Sequence, residues 1–269
     1  MYPDKIFGLF TMYGVCVGVG LLFCFLFLWW AFKRMKIQES FTDFVTVNAV
    51  VAVVIGFGAA ALFQSIYDYI ANPEAGFQYG GLTFIGGLIG GAISFLIGYL
   101  IFRNKFQSKL IDAISIIPCS IIIAHAWGRV GCFHAGCCYG LPTDSIWGMQ
   151  FVGMAEKVFP TNLYEAIFLF VLFAVCAFLL IKFKFKHNMS VYLISYGIFR
   201  FLIEYIRNDD RGSFVPGMSP SQFWSIVMVV LGIALIFILQ PLFKKREAYL
   251  AEHPIVEPPK KEKKAKEAK

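Results

Sequence analysis

Five residues around position 200 have the side chains and the spacing to bind an anion. In MSVYLISYGIFRFLIEYIRNDD, Tyr192, Tyr196, Arg200 and Glu204 recur every four residues, and Arg207 follows three later. On a helix this spacing stacks them on one face. Arg200 sits in an otherwise apolar stretch. A charge in a membrane span costs on the order of 3 kcal/mol or more, so it faces a cavity or a partner. The planar guanidinium makes two parallel hydrogen bonds to a phosphate. The stripe therefore reads as an anion site, with a purely structural Arg200–Glu204 pair as the alternative.

A second constellation is HAWGRVGCFHAGCCYG, residues 125–140. His125 and Arg129 are four apart and share a helix face. Arg129 could oppose Arg200 across a phosphate, or could be an interfacial anchor. The glycines at 128, 131, 136 and 140 permit tight turns and close approach to a ligand. Cys132, His134, Cys137 and Cys138 invite a metal reading, but the gaps do not match the paired spacing of zinc ligands. Adjacent Cys137 and Cys138 are not expected to share one ion, so no metal is expected. A disulfide from Cys132 to Cys137 or Cys138, or structural thiols, is the preferred reading, with a catalytic thiol as the remainder. Cys16, Cys24, Cys119 and Cys176 fall in apolar runs and read as packing residues. In YGGLTFIGGLIGG, residues 79–91, Gly86/Gly90 and Gly87/Gly91 form two small-xxx-small pairs. They suit close helix packing, or backbone exposed to a lipid head group.

The elements that carry these residues are apolar. Of 269 residues, 58% are hydrophobic and 15% charged, where a soluble domain has about 25% charge. Mean hydropathy is +0.69. These values exclude a disordered chain, a cytosolic globular enzyme and a collagen-like fibre. They indicate an all-α integral membrane protein. A membrane-spanning helix needs about 20 apolar residues. Seven runs qualify, at roughly 8–32, 44–67, 82–102, 110–127, 163–181, 189–206 and 221–243. The fourth is the weakest, since it contains His125 and ends near Arg129. The first is too long for a signal-peptide core and is read as a retained span.

Basic residues collect in alternate loops: Lys33, Arg34 and Lys36, then Arg103, Lys105 and Lys109, then Lys182, Lys184 and Lys186. By the positive-inside rule these loops and the C-terminus are cytoplasmic, and the N-terminus is outside. Residues 1–243 then form one seven-helix domain, with an outer loop region at about 128–162. Residues 244–269 form a basic tail, disordered after Pro254 and suited to anionic lipid rather than nucleic acid. Asn162 with Glu165 resembles a capping box, and Ser219-Pro220 a cap followed by Pro at the first helical position.

Together these features resemble the prolipoprotein diacylglyceryl transferases, over about residues 10–240. YGIFRFLIEYIRNDD looks like the family's Tyr-Gly-x-x-Arg-Phe-x-x-Glu-x-x-Arg-x-x-Asp, matched by Tyr196, Gly197, Arg200, Phe201, Glu204, Arg207 and Asp210. PTNLYE at 160–165 is similar to Pro-Ser-Gln-Leu-Tyr-Glu. Of the signature Gly-Arg-x-Gly-Asn-Phe-x-Asn-x-Glu-x-x-Gly, the chain keeps Gly128, Arg129, Gly131, Phe133 and Gly140. Cys132 and Ala135 replace the two Asn, and Cys137 replaces the acid. Ile85 stands where the family carries a candidate base, His; His125 and His134 are possible substitutes.

The resemblance implies a multi-pass enzyme of the bacterial plasma membrane. It would transfer the diacylglyceryl group of phosphatidylglycerol to the lipobox cysteine of prolipoproteins, whose signal peptides and the surrounding membrane lipid are its partners. No cofactor is required. Arg129, Arg200, Tyr196 and His125 are the expected catalytic residues. Arg129, Glu204, Arg207, Gly86, Gly87 and Gly140 are the expected substrate contacts. A related transferase with another acceptor is the alternative. A lipid transporter or flippase ranks third, because the ionisable stripe stops in the outer half of the sixth span.

Overall fold

A computed structural model describes residues 11–77, 81, 83–208 and 217–255. The helices are α1 (Met12–Arg34), α2 (Glu39–Ala71), α3 (Phe84–Phe102), α4 (Leu110–Ala113), α5 (Ile117–Ala135), α6 (Thr161–Phe183), α7 (Asn188–Ile203) and α8 (Pro220–Glu252). A two-stranded ribbon, β1 (Met149–Gln150) and β2 (Lys157–Val158), pairs antiparallel between α5 and α6. Among the described residues, six helices are long and apolar enough to cross a membrane: α1, α2, α3, α6, α7 and α8. Their surfaces carry exposed Leu22, Val54, Ile101, Phe178 and Phe237. Exposed apolar side chains of this kind suit lipid. The chain is an all-α integral membrane protein.

The fourth expected span, 110–127, is not one helix. It breaks after Ala113 into turn residues and restarts as α5. Pro118 lies in the first turn of α5, where its missing N–H is harmless; deeper in a longer helix it would remove a hydrogen bond. Asp112 on α4 takes a two-pronged contact from Arg246 on α8, at 2.9 and 2.7 Å. Buried Asn188, at the start of α7, donates to the Ser115 carbonyl at 3.0 Å. These polar ties hold the broken segment in place.

The contacts divide the chain into two compact units, residues 1–34 with 110–246, and residues 35–109 with 247–269. In the first, α5 is the central helix. It packs on α1 where Gly20 meets Trp127 and Ala124, and where Gly131 meets Tyr13 and Cys16. A methyl at Gly20 would lie 2.8 Å from the Trp127 Cβ, so this crossing needs glycine. Leu169, Leu172 and Cys176 form the buried face of α6.

In the second unit, α2 and α3 run antiparallel, with Asn48 beside Gly98 and Gly56 beside Gly87 and Gly91. Asn48 donates to the Phe95 carbonyl at 2.9 Å. The Gln38 side chain accepts from the N–H groups of Gln107 and Ser108 at 3.0 and 3.3 Å.

Other boundaries also differ from expectation. The loop expected at 128–162 begins only at Gly136, because α5 continues through Ala135. Gly136 ends it in the left-handed conformation, φ 67°. Helix α8 continues past residue 243 to Glu252, so the first part of the basic tail is helical. Residues 256–269 of the tail, Asp210, and Tyr79, Gly80 and Leu82 of the glycine run lie outside the described residues, as does the side chain of Ile85.

Candidate active site

Three helices of the first unit bring the predicted residues together. Arg129 and His125 come from α5, and Tyr192, Tyr196 and Arg200 from α7. Glu204 opens a short 3-10 turn that ends α7, and Arg207 follows it. The residue that joins them is Glu165, on the first turns of α6 and fully buried. Its Oε1 lies 3.0 Å from Arg129 Nε and 3.8 Å from His125 Nε2, and accepts the Tyr196 hydroxyl. Its Oε2 lies 3.9 Å from Arg207 Nη1.

A second carboxylate, Glu204, holds the other arginines. Arg200 Nη1 donates to Glu204 Oε2 at 2.7 Å, and Arg207 Nε lies 3.6 Å from the same oxygen. Arg200 Nη2 donates to Ser221 Oγ at 2.9 Å. Ser219 donates its hydroxyl to Glu204 Oε1 at 2.9 Å. Ser219 also caps α8: its oxygen accepts from the Gln222 N–H at 3.2 Å, and Gln222 Oε1 accepts from the Ser219 N–H at 3.1 Å. This is a capping box with Pro220 inside it. The cap thus fixes the serine that fixes Glu204.

The charges form one chain: Arg129, Glu165, Arg207, Glu204, Arg200. Among the described residues this chain joins three guanidinium groups and two carboxylates. Arg200, Arg207, Glu165 and Glu204 have side chains at most 8% exposed, whereas Arg129 and His125 are 20% and 21% exposed. The open side of the chain is therefore on α5. His125 also meets Tyr192, with its Nδ1 3.2 Å from the hydroxyl.

Asn162 and Glu165 do not make the expected capping box. Pro160 is the cap of α6 and Asn162 already lies within its first turn. Glu165 turns inward to Arg129, since two guanidinium groups offer it more than one backbone N–H would. Asn162 and Thr161 instead donate to the carbonyls of Cys137 and Cys138, at 2.7 and 2.8 Å. Gly140 bridges to Arg207 as an isolated strand pair, and the Leu141 N–H donates to the Ile206 carbonyl at 2.8 Å. A Cβ at Gly140 would strike that carbonyl. Gly86 and Gly87 lie in the other unit, packed on Phe63, Ala59, Ala60 and Gly56 of α2.

Among the described residues all seven cysteines are free. The sulfur atoms of Cys132, Cys137 and Cys138 lie within 4.8 Å of one another, and His134 is not in the group. The Cys138 thiol is held well below the ordinary thiol range. Hydrogen bonds from Cys132 and then Cys137 do most of this, and Arg207 and Arg129 add to it against the cost of burial. An apolar cleft of about 460 Å³ lies among α1, α5 and α6, lined by residues that include Phe23, Phe27, Trp127 and Phe170.

Sequence reasoning missed Glu165 as the hub. A signal was present: it is a lone acid at the head of sixteen apolar residues, 166–181. An acid so placed needs an internal partner.

Comparison with known proteins accounts for this arrangement. Residues 6–238 match the family model described as prolipoprotein diacylglyceryl transferase. The phosphatidylglycerol--prolipoprotein diacylglyceryl transferase of Clostridium tetani is 34% identical over 247 residues, 87% of this chain and 93% of the relative. Phosphatidylglycerol--prolipoprotein diacylglyceryl transferase 2 of Clostridium perfringens is 32% identical over 244 residues, 86% and 92% of the two chains. The enzyme of the same name from the Wolbachia of Drosophila simulans is 30% identical over 236 residues, 82% and 87%. The matched span contains every member of the charge chain and its capping serine, and on that extent of likeness the chain belongs to the prolipoprotein diacylglyceryl transferase family.

Proposed function

We propose that this protein transfers the diacylglyceryl group of phosphatidylglycerol to the lipobox cysteine of a prolipoprotein. The substrate thiol loses its proton and its sulfur bonds to the glyceryl carbon. The bond from that carbon to the phosphate oxygen breaks, and glycerol phosphate leaves with the electron pair. Negative charge grows on the phosphate as it leaves, so fixed positive charge in a dry site favours the transition state over the ground state.

The observation that carries this reading is the charge chain, which gathers three arginines at one site with Arg129 at its more open end. Arg129 is placed to meet the phosphate, while Arg200 and Arg207 supply potential from inside. Tyr196 and Glu165 keep Arg129 in one orientation. His125, beside Glu165 and at the more open end of the charge chain, is the candidate base in place of the family histidine. Gly140 and Glu204 act by shaping the backbone and holding the arginines. The apolar cleft next to Trp127 suits an acyl chain, which cannot leave the bilayer cheaply. We place the enzyme in the plasma membrane of a bacterium, with the α4–α5 segment as a seventh crossing, the N-terminus and the charge chain outside and the basic tail in the cytoplasm.

The test is a transfer assay. Purified protein in detergent is mixed with phosphatidylglycerol and a lipobox peptide, and the peptide is weighed by mass spectrometry. A diacylglyceryl mass on the cysteine is expected. An unmodified peptide beside a working relative would turn the reading to another acceptor for the same donor. That second reading draws on Ile85, Cys132, Ala135 and Cys137, which replace family residues, and varied acceptors in the same assay would reveal it.

A further inference from the structure

We propose that Cys132, Cys137 and Cys138 form a three-thiolate site for a zinc ion, with one coordination position left to a ligand from outside the cluster. The three sulfur atoms already lie within 4.8 Å of one another. Zinc–sulfur bonds of about 2.3 Å in a tetrahedron separate the sulfurs by roughly 3.8 Å. The atoms need to close by about an ångström at most, which side-chain rotation supplies.

Two further features point to a built site. Neighbouring side chains normally diverge, which is why Cys137-Cys138 is a poor ligand pair in sequence. Here Cys138 takes a left-handed backbone, φ 59°, and this directs both side chains to Cys132. Positive φ is uncommon in a residue other than glycine and concentrates at functional sites. The backbone of the pair is also held from the other side, by Thr161 on the Cys138 carbonyl and Asn162 on the Cys137 carbonyl. The side chains are thus turned inward by a loop that is itself fixed.

Soft thiolates select zinc or monovalent copper over magnesium or calcium. Zinc with three thiolates carries one net negative charge, and Arg129, one turn back along α5 from Cys132, carries the opposite charge. A disulfide would use two of the sulfurs and leave the third beside it unused. The ion would clasp the end of α5 to the segment that leads to Gly140 and Arg207.

The test uses the full chain, purified in detergent with a phosphine reductant, loaded with Zn²⁺ and desalted. About one zinc per chain is expected by elemental analysis, falling at least tenfold in Cys132→Ser and in Cys137→Ser. Cys137 is exposed, so its substitution leaves the fold intact. Cys24→Ser, in α1, should keep the metal. Co²⁺ in place of Zn²⁺ should give the near-ultraviolet sulfur-to-cobalt absorption of a thiolate site, absent in Cys137→Ser. No retained zinc in the parent chain, or full retention in Cys137→Ser, overturns the proposal. So does a Cys132–Cys137 or Cys132–Cys138 linked peptide in protein alkylated directly from membranes. None of these readouts depends on transfer activity.

Discussion

Arg129 and Arg200 share no carboxylate, yet they are joined. Glu165 holds the first at 3.0 Å, Glu204 holds the second at 2.7 Å, and Arg207 lies between, 3.9 Å from one acid and 3.6 Å from the other. Each end belongs to a different helix, so the spacing of the two arginines is set by packing and not by their own flexible stems. This is how a site can present fixed charge to a phosphate without reorganising as the phosphate leaves.

The hub should be the most sensitive position. Glu165→Gln keeps the shape of the side chain but leaves Arg129 and Arg207 facing a neutral amide. Breaking a buried ion pair costs about 3–5 kcal/mol, since the remaining charge stays desolvated. Because Arg129 is partly exposed, the lower end of that range is expected. Thermal unfolding in detergent should show a clear drop in midpoint, together with loss of transfer. A variant with parental midpoint and rate would mean that Glu165 organises nothing.

Arg200→Lys separates charge from geometry. Arg200 uses two nitrogens on two partners, Glu204 and Ser221, from different elements. Lysine keeps the charge and loses the fork. Membrane expression should persist while transfer falls by about 10²-fold, a typical cost of losing one oriented transition-state donor. A fully active lysine variant would assign Arg200 to structure alone.

The parts of this architecture differ in how plainly the sequence shows them. Long apolar runs mark α1, α2, α3, α6, α7 and α8, since crossing lipid demands length and hydropathy together. Helix α5 is blurred, because His125, Arg129, His134 and two glycines dilute its hydropathy even though its first half is deeply buried. The stripe from Tyr192 to Glu204 is legible from its period of four. Glu165 is hidden behind a plausible local role as a cap, and only tertiary packing decides that it turns inward. Convergence of the three thiols is not legible at all, because it depends on one positive φ at Cys138.

Gly140→Ala tests the strap beneath Arg207. The added methyl would meet the Ile206 carbonyl, with Thr161 and Phe159 also too close. The backbone carbonyl cannot swing away as a side-chain tip would, so the Gly140–Arg207 pairing must open. A destabilisation of about 1–3 kcal/mol is expected, as for other overpacked sites. Transfer should fall with it, and proteolysis of residues 136–160 should speed up. Unchanged proteolysis and rate would show that the strap yields without disturbing Arg207.

The two histidines offered in place of the family base stand in different surroundings, and this separates them. His125 lies beside Glu165 and against the hydroxyls of Tyr192 and Tyr196. His134 packs on Phe133 near the end of α5 and has no place in the charge chain. A positioned base contributes about 10²–10⁴-fold. His125→Ala should lose transfer by an amount in that range, His134→Ala should stay within a few-fold of the parent chain, and the double variant should match His125→Ala. Rates measured with saturating phosphatidylglycerol keep weakened binding from imitating the loss. An equal or larger loss in His134→Ala would move the proton acceptor away from Glu165, toward the end of α5 where the thiols gather.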